Sequence, residues 1–229
     1  MSVVPLESNP EVFSDLAHTV GLSPVLLFHD VYSLADPEFV AFIPQPVLAI
    51  IVLFPISAGY EADRHKNPAT PHSPVRWFKQ TIRNGCGLYA LLHAVANLSP
   101  DFVVEDLPLK KLVLRNLVPG MSPEDAAQLV VLLEKSIQLD ANFGLRGQTD
   151  SPSADDDIQF HFATFVKGLN GHVYELDGRR SGPVDLGETA PDLPLLADSK
   201  VADRVKFYMD ITDDRDKDKF AVMALAPAL

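Results

Sequence analysis

Apolar positions along this chain recur in three rhythms, and each predicts a different element. At Val12, Phe13, Leu16, Ala17 and Val20 the spacing is helical, with Asn9 and Pro10 supplying an N-cap and first-turn proline and Gly21 a stop. Ser122-Pro123-Glu124-Asp125 opens a second helix through Ala126, Leu129, Val130 and Leu133 to about Ser136. From Leu88 to Ala96 the residues are apolar on nearly every side, which predicts a helix packed all round and ended by Asn97, Ser99 and Pro100. Short apolar stretches at Pro24 to Tyr32 and Val47 to Phe54 predict strands, the second unbroken enough to lie in the middle of a sheet. Ile158 to Val166 and His172 to Leu176 alternate as strands do, joined through Lys167-Gly168-Leu169-Asn170-Gly171 as a hairpin. Ala202 to Ile211 reads as a helix and Phe220 to Ala226 as a last strand.

Two polar stretches interrupt this pattern. Ser57 to Pro74 predicts a surface connection and the most mobile part of the chain. Ala141 to Asp157 is rich in Gly, Ser, Gln and Asp and has almost nothing to bury; connections of this length inside a domain usually carry function or stay disordered. Asp155-Asp156-Asp157 within it lacks the spaced ligands of a calcium loop and reads as a solvated run. With no repeat, heptad or inter-domain linker, the pattern predicts one domain mixing helices and strands.

Composition narrows the function classes. In 229 residues, 47% hydrophobic content can fill a substantial core. The longest apolar run is far shorter than the roughly 20 residues of a membrane-spanning helix, and Met1 to Asn9 lacks the basic and apolar regions of a secretory signal. A net charge of −12 argues against nucleic acid and for a basic partner. One cysteine excludes an intramolecular disulfide and suits a reducing compartment.

That cysteine, Cys86, lies in Gln80-Thr81-Ile82-Arg83-Asn84-Gly85-Cys86-Gly87, where a polar turn enters the all-apolar helix. Unpaired N–H groups and the helix dipole favour negative charge there, and glycines on both sides let a substrate carbonyl approach. A thiolate nucleophile works with an imidazole that a third polar group orients. His93, seven residues along the same helix, sits roughly 10 Å up the axis and out of reach. His18, His29, His65 and His72 read as solvated residues. His161 shares a strand with Phe160 and Phe162 but faces the other way; His172 is the second choice. Asp177 ends the partner strand. A two-residue turn would set it opposite Thr164 and a four-residue loop, Gly168 to Gly171, opposite Phe162; the wider loop is expected because it brings Asp177 nearer His161. Gln80 can offer amide N–H groups to an oxyanion beside the helix start.

Taken together, Pro5-Leu6-Glu7, Asn9-Pro10-Glu11, Lys79-Gln80-Thr81-Ile82, Asn84-Gly85-Cys86-Gly87, Gly147-Gln148-Thr149, Phe160-His161-Phe162 and Gly171-His172-Val173-Tyr174-Glu175-Leu176-Asp177-Gly178-Arg179 occur in an order that resembles the ubiquitin C-terminal hydrolases, papain-like cysteine peptidases of family C12. The resemblance spans Pro5 to about Leu225. It implies an α+β fold of the papain-like kind, a central, mostly antiparallel sheet with helices on both sides. It also implies Cys86 as nucleophile, His161 as general base and acid, Asp177 as the residue orienting the ring, Gln80 as oxyanion donor, and Ala141 to Asp157 as a crossover loop above the groove. Glu7, Glu11 and Asp30 match acidic positions that contact ubiquitin in relatives. The expected protein is a compact, monomeric, cytoplasmic hydrolase that acts after the last glycine of ubiquitin and needs no metal or organic cofactor. Two rivals remain open, a ubiquitin-binding module with little turnover and a hydrolase of another ubiquitin-like modifier. Arg83 departs from the pattern, since relatives commonly carry a small residue there.

Overall fold

Asn9 caps the first helix, α1 (Pro10–Val20), its side-chain oxygen accepting the N–H groups of Glu11 and Val12 at 2.9 and 3.3 Å, and Gly21 ends it at a φ of 130°. The computed structural model describes residues 1–66, 73–144, 146, 153, 154, 156 and 158–228. Beyond α1 follow β1 (Leu26–Asp30), α2 (Pro37–Ala41), β2 (Ala49–Pro55), α3 (Ala58–Asp63) and α4 (Cys86–Val95). The second half holds α5 (Pro123–Ile137), α6 (Leu139–Asn142), β3 (Phe160–Lys167), β4 (His172–Leu176), β5 (Val184–Glu188), α7 (Ser199–Asp210) and β6 (Ala221–Pro227). No helix among the described residues is long and apolar enough to cross a membrane.

The strands form one six-stranded sheet in the order β1-β6-β2-β3-β4-β5, with every neighbouring pair antiparallel. Side chains alternate between its faces. Ala49, Ile51, Phe162, Val166, Met223 and Leu225 join α1, α4 and α5 in one core; Ile50, Val52, Phe54, Ala163, Phe165 and Ala224 join Tyr60 of α3 and Val201, Val205 and Tyr208 of α7 in another. Each fully buried Val, Leu, Ile, Met or Phe side chain among these contributes about 1.5–3 kcal/mol. All ten residues of α4 are buried, as its apolar circumference predicts, and Thr164 of β3 fastens it to the sheet by donating to Ala90 O at 2.8 Å. The expected architecture is therefore what forms.

Three expectations need correction. The stretch from Ser57 is not simply a surface connection: Ser57 caps α3 by accepting from Tyr60 N–H at 3.1 Å, and α3 buries Tyr60 and Asp63. Asn67 to His72 lie outside the described residues. The hairpin between β3 and β4 has neither the two-residue turn nor the four-residue loop. Gly168 N–H donates to His172 O at 2.8 Å and Gly171 N–H to Gly168 O at 2.9 Å, with Gly171 at a φ of 80°, so three residues connect the strands. A tight turn closed by a left-handed glycine is the standard route for a connection of that length. Finally, His18 and His29 are half-buried and bonded to the carbonyls of Leu26 and Pro227 at 2.9 and 3.0 Å, rather than solvated. Of the expected crossover loop, Leu145, Gly147 to Pro152, Asp155 and Asp157 lie outside the described residues; its start is helical, in α6.

Candidate active site

The three-residue connection decides which face of the sheet Asp177 occupies. It pairs Thr164 with Leu176 and Lys167 with Val173, and continuing that register sets Asp177 opposite Ala163. Residues directly opposite share a face, and so do residues two apart on one strand, so Asp177 lies on the face of His161. Either expected register would have put it on the other face. The observed contact is direct: His161 Nε2 and Asp177 Oδ1 are 2.6 Å apart, with His161 2% exposed and Asp177 fully buried. His161 Nδ1 is then the nitrogen left to face the Cys86 side chain, which lies close enough to help hold the proton on the ring.

Asp177 is held from several sides. Its Oδ1 also accepts the Arg179 N–H at 2.8 Å, and its Oδ2 accepts the Tyr60 hydroxyl at 2.8 Å. Burial alone would raise this carboxyl's pKa, but the charge and hydrogen bond of His161, the Arg179 N–H and the charge of Arg180 outweigh it and hold the group well below the usual carboxylate range. Burial likewise works against charge on His161, and the Asp177 carboxylate together with Cys86 overcomes it, pushing the ring up to about 9. Burial and the neighbouring Asp177 carboxylate drive the Tyr60 phenol far above its ordinary value, so it stays a donor. Tyr60 is the residue that sequence reasoning missed; the Ser57 cap three residues before it was the available signal.

Cys86 is the first residue of α4 and is 7% exposed. Gly85, at the N-cap, has no side chain to occupy the first N–H groups of the helix. The segment leading to it runs beside the end of β4: Trp77 Nε1 donates to Asp177 O at 2.9 Å, and Gln80 N–H to Gly178 O at 2.8 Å. Gly178 is required for this approach, because a Cβ there would lie 2.9 Å from Gln80 Cβ. The Gln80 side chain bends back so that its Nε2 donates to Ile82 O at 3.2 Å, leaving one N–H free to point elsewhere, while its buried Oε1 has no partner among the described residues. His93 bonds instead to the Phe78 backbone, accepting from its N–H at 3.0 Å, and burial lowers its pKa to about 4. It keeps a neutral ring behind the site.

Beneath Asp177 lies a buried ion cluster. Arg180 donates to Glu175 and Asp63 at 2.8 Å each and lies 3.6 Å from Asp177; Arg204 of α7 bonds to the same Glu175 and Asp63. Two guanidinium groups thus face three carboxylates, Asp63, Glu175 and Asp177. A proton on His161 balances the third.

Of the other expected residues, Glu11 lies in the first turn of α1 and Asp30 at the end of β1, both exposed, and Glu7 is half-exposed. Burial raises the Asp30 carboxyl. His172 pairs with Asp185 at 2.9 Å on the surface, so it is occupied away from Cys86. Gly147-Gln148-Thr149 lies outside the described residues.

Comparison with known proteins adds independent information. Residues 3–210 match the profile of ubiquitin carboxyl-terminal hydrolase, family 1. Ubiquitin carboxyl-terminal hydrolase YUH1 of Saccharomyces cerevisiae is 35% identical over 233 residues, covering 99% of this chain and 96% of its own. Ubiquitin carboxyl-terminal hydrolase isozyme L1 of Homo sapiens is 35% identical over 206 residues, 88% of this chain and 90% of its own. Among solved structures, the Trichinella spiralis UCH37 catalytic domain bound to ubiquitin vinyl methyl ester superimposes with a TM-score of 0.74 at 24% identity, covering 100% of this chain and 97% of that one.

Proposed function

Because the chain belongs to family 1 of the ubiquitin carboxyl-terminal hydrolases, we propose that it is a cysteine hydrolase cutting the amide, ester or thioester bond after the C-terminal glycine of ubiquitin. The observation that carries the proposal is the buried line from Asp177 through His161 to Cys86 at the start of α4. Ubiquitin is the substrate for which the relatives are named, and a partner with basic surfaces fits a chain of charge −12. Glu7, Glu11 and Asp30 are the acidic residues assigned to meet it. The chain works as one domain, monomeric and cytoplasmic, and its 141–157 connection confines the leaving group to small or unfolded adducts.

The reaction follows from the geometry. The Cys86 sulfur attacks the glycine carbonyl carbon, and the oxygen takes up negative charge beside the first N–H groups of α4 and the free N–H of Gln80. As the tetrahedral species collapses, the bond to the leaving group breaks and His161 Nδ1 gives its proton to the departing amine or alcohol. A thioester remains on Cys86. Water attacks it while His161 takes a proton back, the carbon–sulfur bond breaks to return the Cys86 thiolate beside the charged ring, and free ubiquitin leaves with its carboxylate restored. Asp177, bonded to Nε2, holds the ring in one orientation and stabilises its charged form throughout.

A ubiquitin C-terminal ester tests this. Wild type should hydrolyse it, and Cys86→Ala should bind ubiquitin with nearly the same affinity yet release no product. Binding without turnover in the wild type would instead favour a ubiquitin-binding module, and faster turnover of another modifier's tail would reassign the substrate.

A further inference from the structure

Tyr60 is fully buried, and a phenol away from water needs an acceptor for its hydrogen. It donates to Asp177 Oδ2 at 2.8 Å, across 117 positions of sequence. The helix that carries it is anchored at both ends. Ser57 caps its start, and a Cβ on Gly59 would lie 2.7 Å from Ile211 Cβ, so α3 sits directly against the residue that ends α7. Beyond its last turn Arg64 Nη1 donates to Arg179 O at 3.1 Å, and Glu61 pairs with Arg179 at 2.7 Å. The rings of Phe54, His161 and Tyr208 surround Tyr60 with centroids 5.1, 5.7 and 6.2 Å away, and the Arg179 guanidinium lies 5.5 Å from its centre. The hydroxyl is therefore aimed at Asp177 by packing on every side.

The partners of the two carboxylate oxygens show what this bond does. Oδ1 serves His161 at 2.6 Å and the Arg179 N–H at 2.8 Å. Arg180 lies 3.6 Å from Oδ2 but directs its donors to Glu175, Asp63 and Tyr208, so it supplies charge there and no hydrogen bond. Arg204 is likewise taken up by Glu175 and Asp63. Behind the pair on α4 stands His93, a neutral ring, and Cys86 faces His161 from its other side. Among the described residues the Tyr60 hydroxyl is thus the one hydrogen bond on Oδ2. Without it that oxygen would keep its charge unshared in a dry site and the carboxylate would be freer to turn. Such a carboxylate would also bind the His161 proton more tightly, whereas the reaction needs that proton to pass to the leaving group.

We propose that Tyr60 is a positioning residue for the reaction: its hydroxyl fixes the Asp177 carboxylate against His161 and takes up part of the carboxylate's charge, so that the ring releases its proton to the leaving group. The inference rests on the proposed roles of His161 and Asp177 in hydrolysis. Being fully buried, Tyr60 acts through Asp177 and not on the substrate.

The test compares wild type, Tyr60→Phe and a protein carrying 3-fluorotyrosine in place of Tyr60. Phenylalanine keeps the packed ring and loses only the hydroxyl; fluorine keeps the hydroxyl and makes it a stronger donor. The His161 ring is titrated by NMR, and hydrolysis of a ubiquitin C-terminal ester is followed against pH. In Tyr60→Phe the His161 titration should move to higher pH by about half a pH unit, opposite in sign to loss of the Asp177 charge. There kcat should fall about tenfold, with KM within about twofold of wild type. The fluorotyrosine protein should titrate at lower pH than wild type. A tyrosine that merely fills space predicts neither the opposed signs nor a loss confined to kcat. An unmoved His161 titration in both proteins, or a shift in the same direction in both, overturns the proposal; should Tyr60→Phe not fold, an unmoved or raised titration in the fluorotyrosine protein overturns it alone. If the wild type leaves the ester intact while the two titrations still move in opposite directions, the hydrolase reading fails and the coupling of Tyr60 to His161 stands.

Discussion

A single proton links the three central residues. Burial would strip it from His161, and the Asp177 carboxylate at 2.6 Å keeps it there, with the ring pushed up to about 9. Activity that needs the imidazolium to protonate a leaving group should therefore fall as pH rises through about 9. Asp177→Asn removes the charge that opposes burial, so the alkaline limb of kcat/KM should move to lower pH by about one unit or more. A limb that does not move would remove Asp177 from the role of orienting and charging the ring. The same shift bears on stability. The His161 contribution is fully present below its ordinary value of 6.5 and disappears as pH rises through about 9. For Asp177, whose carboxyl is depressed, the contribution is present above its ordinary 3.8 and disappears as pH falls further. The pair thus supports the fold most fully between those two ordinary values.

Elements with strong local signals were legible in the sequence. Asn9, Pro10 and Gly21 bracket α1 so clearly that its bounds could be read directly, and a helix apolar on all sides could only be α4, buried throughout. The elements missed are short or hold their place through tertiary contacts. Six residues of α3 carry little periodicity, and its value lies in Tyr60 and Asp63 reaching residues more than a hundred positions away. β5 is an edge strand with a half-exposed pattern and Gly187 inside it, which weakens any alternation. The hairpin register turned on one left-handed glycine. Across elements, the cluster of Arg180, Arg204, Asp63 and Glu175 ties α3, β4 and α7 beneath the site, and its charges come from three separate stretches of chain. Because breaking a buried ion cluster leaves charges uncompensated, Arg180→Met should lower unfolding free energy by about 3–5 kcal/mol. Urea unfolding measures this; a loss under about 1 kcal/mol, the scale of exposed pairs, would show that the cluster is not held as described.

At the scale of the molecule, one antiparallel sheet with a core on each face brings a helix start, two strand ends and the 77–86 segment to the same place. The sequence motifs named the participants, but only the sheet register shows that His161 and Asp177 share a face, and only the close approach at Gly178 brings Gln80 beside them. All of this converges on the single thiol, Cys86. The direct test is to incubate the protein with ubiquitin carrying an electrophile at its C-terminus and to map the adduct by mass spectrometry. One ubiquitin should be attached per chain, through Cys86, and the Asp177→Asn protein should react more slowly at alkaline pH. An unmodified chain, or an adduct that forms equally well in Cys86→Ala, would contradict the account.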